Sequence, residues 1–186
     1  MKLTPQNRTG AAFTMVEMVG VLGVIAILAA MLTPKIFSAI NDARLSAAVG
    51  SLESVKSATV SYYSKYGTLP TNNNFDMLLV SEQFLERPFE CRVGSGDLVQ
   101  GVATDGGPSS NGYKLDGSGV ATATASTVVE CLLSNVAIAD AQDLSKRMDG
   151  DSLSAVANVA TNDLRGRVEY SFTSGSGTVY IYLGHR

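Results

Sequence analysis

The chain has 186 residues, 45% of them hydrophobic and 17% charged, and a formal net charge of −3. That length suits one globular domain plus a membrane element, and the acidic balance leaves no electrostatic footprint for nucleic acid. One histidine, His185, and two cysteines, Cys91 and Cys131, are too few for a tetrahedral zinc site; with no nucleophile–His–acid set, phosphate loop or dinucleotide fingerprint, the chain reads as a non-enzyme without a cofactor.

Residues 1–12, MKLTPQNRTGAA, carry Lys2 and Arg8 and no acid. Positive charge ahead of a first span holds that end in the cytoplasm, and the segment has the character of an export-signal n-region. Phe13 to Pro34, FTMVEMVGVLGVIAILAAMLTP, follows, with Glu17 as its single formal charge. Roughly 20 apolar residues cross a bilayer core, and in lipid such a backbone must satisfy itself as a helix. The span predicts a single-pass membrane protein with an extracytoplasmic C-terminal head. A secretory cut after the apolar core lacks its small-x-small site, because Ile27 precedes Ala29 and Leu28 precedes Ala30 by two places. The small residues Gly10, Ala11 and Ala12 lie before the apolar run, so a cut there removes the basic leader and keeps the span. Losing Lys2 and Arg8 takes the formal charge from −3 to −5.

A carboxylate at a helix centre costs roughly 2.5–3.5 kcal/mol on insertion scales, and less near the edge. Glu17 therefore either reaches toward the headgroups or meets a cation. The span itself has no Lys or Arg; an α-amino group created by a cut before Phe13 is the nearest cation, either in the same helix or on a neighbouring copy. Pro34 removes a backbone hydrogen bond and favours a kink, Gly20 and Gly23 weaken the helix locally, and Ala26 with Ala30 forms a small-xxx-small pair.

The run FTMVEM at Phe13–Met18 resembles the FTLIEL signature of type IV prepilins and type II secretion pseudopilins. The resemblance implies cleavage by a prepilin peptidase between Ala12 and Phe13, N-methylation of Phe13, and use of Glu17 in filament assembly. Pro34 falls where the family has its helix proline. One departure is Ala12, where the family usually has Gly; a cut after Gly10 is the other choice, but it puts Glu17 seventh instead of fifth.

Beyond Pro34 the helix continues as an amphipathic half, 35–66. Leu45, Ala48, Leu52, Val55, Thr59, Tyr62 and Tyr66 recur at steps of three and four on one face, and Gly67 with Pro70 beyond it supplies the stop. A coiled coil is the rival reading, with too few flanking charges. From Phe13 to Tyr66 the helix would be about 80 Å long.

The remainder, 67–186, is expected to form a globular head. Thr71–Asn74 is loop; Phe75–Leu79 and Glu82–Leu85 are short helical turns packing back on the long helix. From Cys91 to Ser126, Gly, Ser, Thr and Val predominate, with Asn111-Gly112 marking a turn and Asp116-Gly117 a hairpin between Tyr113–Leu115 and Val120–Thr124. Val128–Leu133 is a buried strand or helix start, and Ala137–Met148 a short helix. Arg167–Phe172 and Thr178–Leu183 form the clearest hairpin: Val168, Tyr170 and Phe172 alternate with Glu169 and Ser171, so one face is buried. Tyr180 and Tyr182 either pack along the strand, the preferred reading, or face a neighbouring subunit. The fold class is thus α+β and pilin-like, a long N-terminal helix packed on a C-terminal antiparallel sheet.

In an oxidising compartment Cys91 and Cys131 are a candidate disulfide, closing a loop for roughly 3–4 kcal/mol; two buried free thiols are the alternative. Asp149-Gly150-Asp151, with Asp163 nearby, departs from the EF-hand spacing. The family resemblance implies a calcium site in this region, with Asp149 and Asp151 as candidates; a solvated turn is the other reading. The functional expectation is a structural subunit of a type IV pilus-like or type II secretion pseudopilus filament, extracellular or periplasmic. Its partners would be copies of itself, the prepilin peptidase and methyltransferase, an inner-membrane assembly platform, and lipid before assembly. The alternative is a membrane-tethered extracytoplasmic binding or sensor domain with an uncleaved anchor.

Overall fold

A computed structural model describes residues 13–102, 112–117, 127–154, 162–173 and 175–186. Its elements in chain order are α1 (Met15–Tyr66), α2 (Phe75–Ser81), β1 (Gly96–Val102), β2 (Val128–Ala137), α3 (Ile138–Asp149), β3 (Asn162–Asp163), β4 (Val168–Ser171) and β5 (Ser176–His185). The strands make one five-stranded antiparallel sheet in the order β1-β2-β5-β4-β3. The class is α+β, with a long N-terminal helix and an antiparallel sheet. Two units divide between Asp42 and Ala43.

In the second unit, α1 buries Leu45, Ala48, Leu52, Val55, Ala58 and Thr59. That is the three-four stripe read from the sequence, and it meets the inner face of the sheet: Val99, Cys131, Leu133, Val168, Tyr170, Val179, Ile181 and Leu183 share one core with it. Away from the core, Ser51, Ser54, Ser61 and Ser64 each donate a hydroxyl to the carbonyl four residues back, at 2.9 to 3.0 Å. The helix closes with the Gly67 amide on the Tyr63 carbonyl at 2.7 Å. Tyr66 departs from expectation. It is 42% exposed, because its hydroxyl reaches sideways to the Glu82 carboxylate.

The connection after α1 packs back as expected. The ring of Tyr62 meets Phe75 and Phe84 edge-on, with centroids 5.7 and 5.8 Å apart. The loop ahead of α2 then docks on the edge of β1, where the Gly101 amide donates to Asn72 O at 2.9 Å. A Cβ at Gly101 would lie 2.1 Å from the Pro70 carbonyl oxygen, so only glycine lets the two backbones approach.

The hairpin of β4 and β5 has the expected pairing, Val168 with Ile181 and Tyr170 with Val179. Two local readings are corrected, and the preferred reading of the tyrosine row holds. Tyr113–Leu115 is not a strand: residues 112–117 run as an irregular strap across the outer face of the sheet, turned at Asp116-Gly117 by a Gly117 N–H to Lys114 O bond of 3.0 Å. Val120–Thr124 and Asn111 lie outside the described residues. Glu169, assigned by alternation to the polar face, is fully buried, because the strap covers that face. The tyrosine row packs within the head, with Tyr182 against the Tyr113 ring at 5.4 Å and Tyr180 partly buried in the same cluster.

The strap is tied down by polar bonds. The Tyr113 hydroxyl donates to Glu130 Oε2 at 2.7 Å, and Gln100 Nε2 donates to the other oxygen of Glu130 at 2.8 Å. The Lys114 amide donates to Glu169 Oε1 at 3.2 Å, while Gly166 N–H donates to the Lys114 carbonyl at 3.0 Å. Gly166 has φ +83°, and a Cβ there would lie 2.5 Å from Asp149 Oδ2.

Leu52 is fully buried between α1 and the sheet. Truncating it to alanine removes transfer energy and leaves a cavity, so Leu52→Ala is expected to cost about 2–5 kcal/mol. Urea unfolding would show this as a lower midpoint with an unchanged slope.

Candidate functional site: the apolar N-terminal helix

From Phe13 to Ile40 every residue is exposed in the isolated chain. Met15 is 86% exposed, Val19 65% and Ile27 63%, large apolar side chains that an aqueous surface does not normally display together. By length and composition this is the one helix among the described residues able to cross a membrane. Pro34 lies inside the helix; lacking an N–H, it leaves the Ala30 carbonyl without its usual donor. One residue earlier the Thr33 hydroxyl donates to Ala29 O at 2.8 Å. Gly20 and Gly23 have nothing within 4 Å of where a Cβ would sit.

Glu17 has a local partner that the sequence reading missed. Thr14 N–H and Thr14 Oγ1 both donate to Glu17 Oε2, at 2.9 and 2.8 Å, and the Glu17 amide donates back to Thr14 Oγ1 at 3.3 Å. This is a capping box: the threonine satisfies an orphan amide of the first turn and the glutamate satisfies the amide of the threonine. The signal was present as T-x-x-E at Thr14–Glu17, directly before an apolar run. Phe13 stands just ahead of the box, 75% exposed. Ala12, Gly10 and the rest of the expected leader lie outside the described residues.

Cys91 and Cys131 are both free. Cys131 sits in the core on β2, and Cys91 packs against the same core from the segment before β1. Burial pushes both thiols up.

The two aspartates weighed for calcium face different partners. Asp149 accepts the Arg167 amide on both oxygens, at 2.9 and 3.0 Å, and the Val168 amide at 2.9 Å on Oδ2. Burial still holds its carboxyl above the ordinary range, against those bonds. Asp151 instead pairs with Lys146 at 3.2 Å. Asp163 accepts the Ser145 hydroxyl at 3.0 Å and the Arg165 amide at 3.3 Å. Among the described residues no three His, Cys, Asp or Glu side chains are grouped to hold a metal.

No family model and no curated protein matches the chain. Among solved structures the chain is similar to the major type IV pilin PilA1 from Clostridium difficile, at 18% identity, with the match covering 78% of this chain and 98% of that one at a TM-score of 0.42.

Asp149 anchors the start of β4 by accepting two partly buried backbone amides, those of Arg167 and Val168. Asp149→Ala is expected to destabilise the head by about 1–3 kcal/mol. The loss in melting temperature should be equal with millimolar calcium and with chelator.

Proposed function

We propose that the chain is a pilin-like filament subunit, anchored in the inner membrane by Phe13–Pro34 until it polymerises through that helix. The observation that supports this reading is an exposed apolar helix carrying one carboxylate at its N-terminal end, continuous with a helix half that a head buries. Such a surface requires an apolar environment twice over: lipid before assembly, then the apolar helices of neighbouring copies. The head is extracytoplasmic, since the basic leader keeps the other end inside.

Prepilin peptidase cuts between Ala12 and Phe13 and the new amine is methylated. The cut leaves the Thr14 amide in place, so the capping box survives it. The box engages Glu17 through Oε2, and Oε1 is the oxygen that the Phe13 amine of a neighbouring copy approaches. That pairing sets register, and apolar packing supplies cohesion. Assembly draws on the inner-membrane platform. The T-x-x-E spacing gives Glu17 both tasks, ending the helix locally and presenting charge to a partner.

Glu17→Ala is expected to leave membrane insertion and leader removal intact and to abolish filaments, as seen by electron microscopy of sheared fractions. Normal filaments from this variant would refute the assignment. Mass spectrometry of the membrane-extracted protein should find Phe13 as the N-terminal residue. A chain retaining Met1 would instead indicate a tethered binding domain.

Export also bears on the thiols. On this reading Cys91 and Cys131 join in the oxidising compartment, each losing a proton and one electron to a disulfide-bearing oxidant, which leaves as a dithiol. Protein recovered from the envelope should then be refractory to maleimide until unfolded and reduced. Labelling of both cysteines after unfolding without reductant would show free thiols.

A further inference from the structure

The outer face of the sheet holds two buried carboxylates beneath one strap, and they are not equally satisfied. Glu130 has a donor on each oxygen, Gln100 on one and Tyr113 on the other. Among the described residues Glu169 receives only the Lys114 amide, on Oε1; its Oε2 is buried without a hydrogen-bond partner. A buried ionised carboxylate with an orphan oxygen is costly, and a neutral one much less so.

We propose that residues 112–117 are a proton-operated latch on the outer face of the sheet: the strap stays seated while Glu169 carries a proton, and lifts when that proton leaves to water, so that solvent reaches Oε2. The groups facing Glu169 fit this. From the strap comes Lys114, whose positive charge and amide favour ionisation. Asp163 on β3 and Asp149 at the end of α3 oppose it. From β5, Tyr180 stands opposite in register. Burial outweighs Lys114 and pushes the Glu169 carboxyl up from 4.5 to about 7. A folded value above the ordinary one means the seated state is favoured below that range and is weakened as pH rises through about 7. The strap, not the sheet, is the part that can yield. Among the described residues it makes no strand pairing; the Tyr113 hydroxyl bonds Glu130 on β2, the Lys114 amide bonds Glu169 on β4, and Gly166 ahead of β4 donates to the Lys114 carbonyl.

Amide hydrogen exchange on the full chain in detergent micelles tests this, with rates corrected for the intrinsic pH dependence of exchange. The Lys114 amide is expected to lose about tenfold in protection between roughly pH 6 and pH 8 while the amides of Cys131 and Ile181 stay unchanged. Glu169→Gln should keep Lys114 protected and flat across that range. Tyr113→Phe, which removes only the bond to Glu130, should lower protection at every pH and keep the inflection. Constant protection in the wild-type chain, a step retained in Glu169→Gln, or a step shared by the β2 and β5 amides would each overturn the latch. Should Glu169→Gln not fold, carboxyl-carbon titration of Glu169 in Tyr113→Phe decides: a midpoint in the ordinary glutamate range overturns it too.

Discussion

A helix can satisfy its own backbone in any solvent, but it cannot hide its own side chains, and the first part of this chain depends on that difference. From Met15 to Thr33 the backbone is helical and bonds largely to itself, the Ala30 carbonyl opposite Pro34 excepted, while the apolar side chains remain uncovered. At about 25 cal/mol per Å² of apolar surface, covering such a run outweighs any single polar contact along it. Glu17 therefore does not hold the segment in its environment. It decides where the segment begins and what charge meets it there.

The second part solves the opposite problem, a sheet with two faces and one long helix to cover them. The inner face takes the α1 stripe from Leu45 to Thr59. Ion pairs frame this contact, with Arg167 on Glu53 at 2.8 Å and Arg44 on Asp140 at 3.7 Å. Exposed pairs of this kind add little stability, so the aliphatic stripe carries the packing. Among the described residues the outer face is covered by the strap, which brings one aromatic ring, Tyr113, and a few polar bonds. Where a thin cover replaces a packed layer, it satisfies one carboxylate, Glu130, and leaves another, Glu169, with an unpartnered oxygen.

This contrast explains what was legible in the sequence. The apolar span, the three-four stripe and the β4–β5 hairpin each write their burial as a period, and a period survives without tertiary knowledge. The strap does not. Tyr113–Leu115 beside Asp116-Gly117 has the composition of a hairpin, yet its partners are side chains on β2 and β4, distant in sequence. Alternation sends Glu169 to solvent, and only the cover over that face reverses the assignment. Tyr66 fails for a local reason, since the last turn of a helix faces the connection that follows it and not the core. The Thr14–Glu17 box was legible and went unread, because a charge in an apolar run directs attention to distant cations before near amides.

That last point bears on how one carboxylate serves an apolar helix. A glutamate fully committed to a distant partner would leave the Thr14 amide at the head of the helix bare in a low-dielectric setting, where an unmet donor costs several kcal/mol. A glutamate fully committed to the cap would have nothing left for register. Thr14 resolves the conflict by using its own hydroxyl on the Glu17 amide and drawing both of its donors to a single glutamate oxygen. The division requires a residue that donates and accepts through one atom three positions before the acid. Threonine and serine do this; valine, its isostere, does not. The residue at position 14 is thus as constrained by the chemistry of the helix end as the acid at position 17, although it carries no charge.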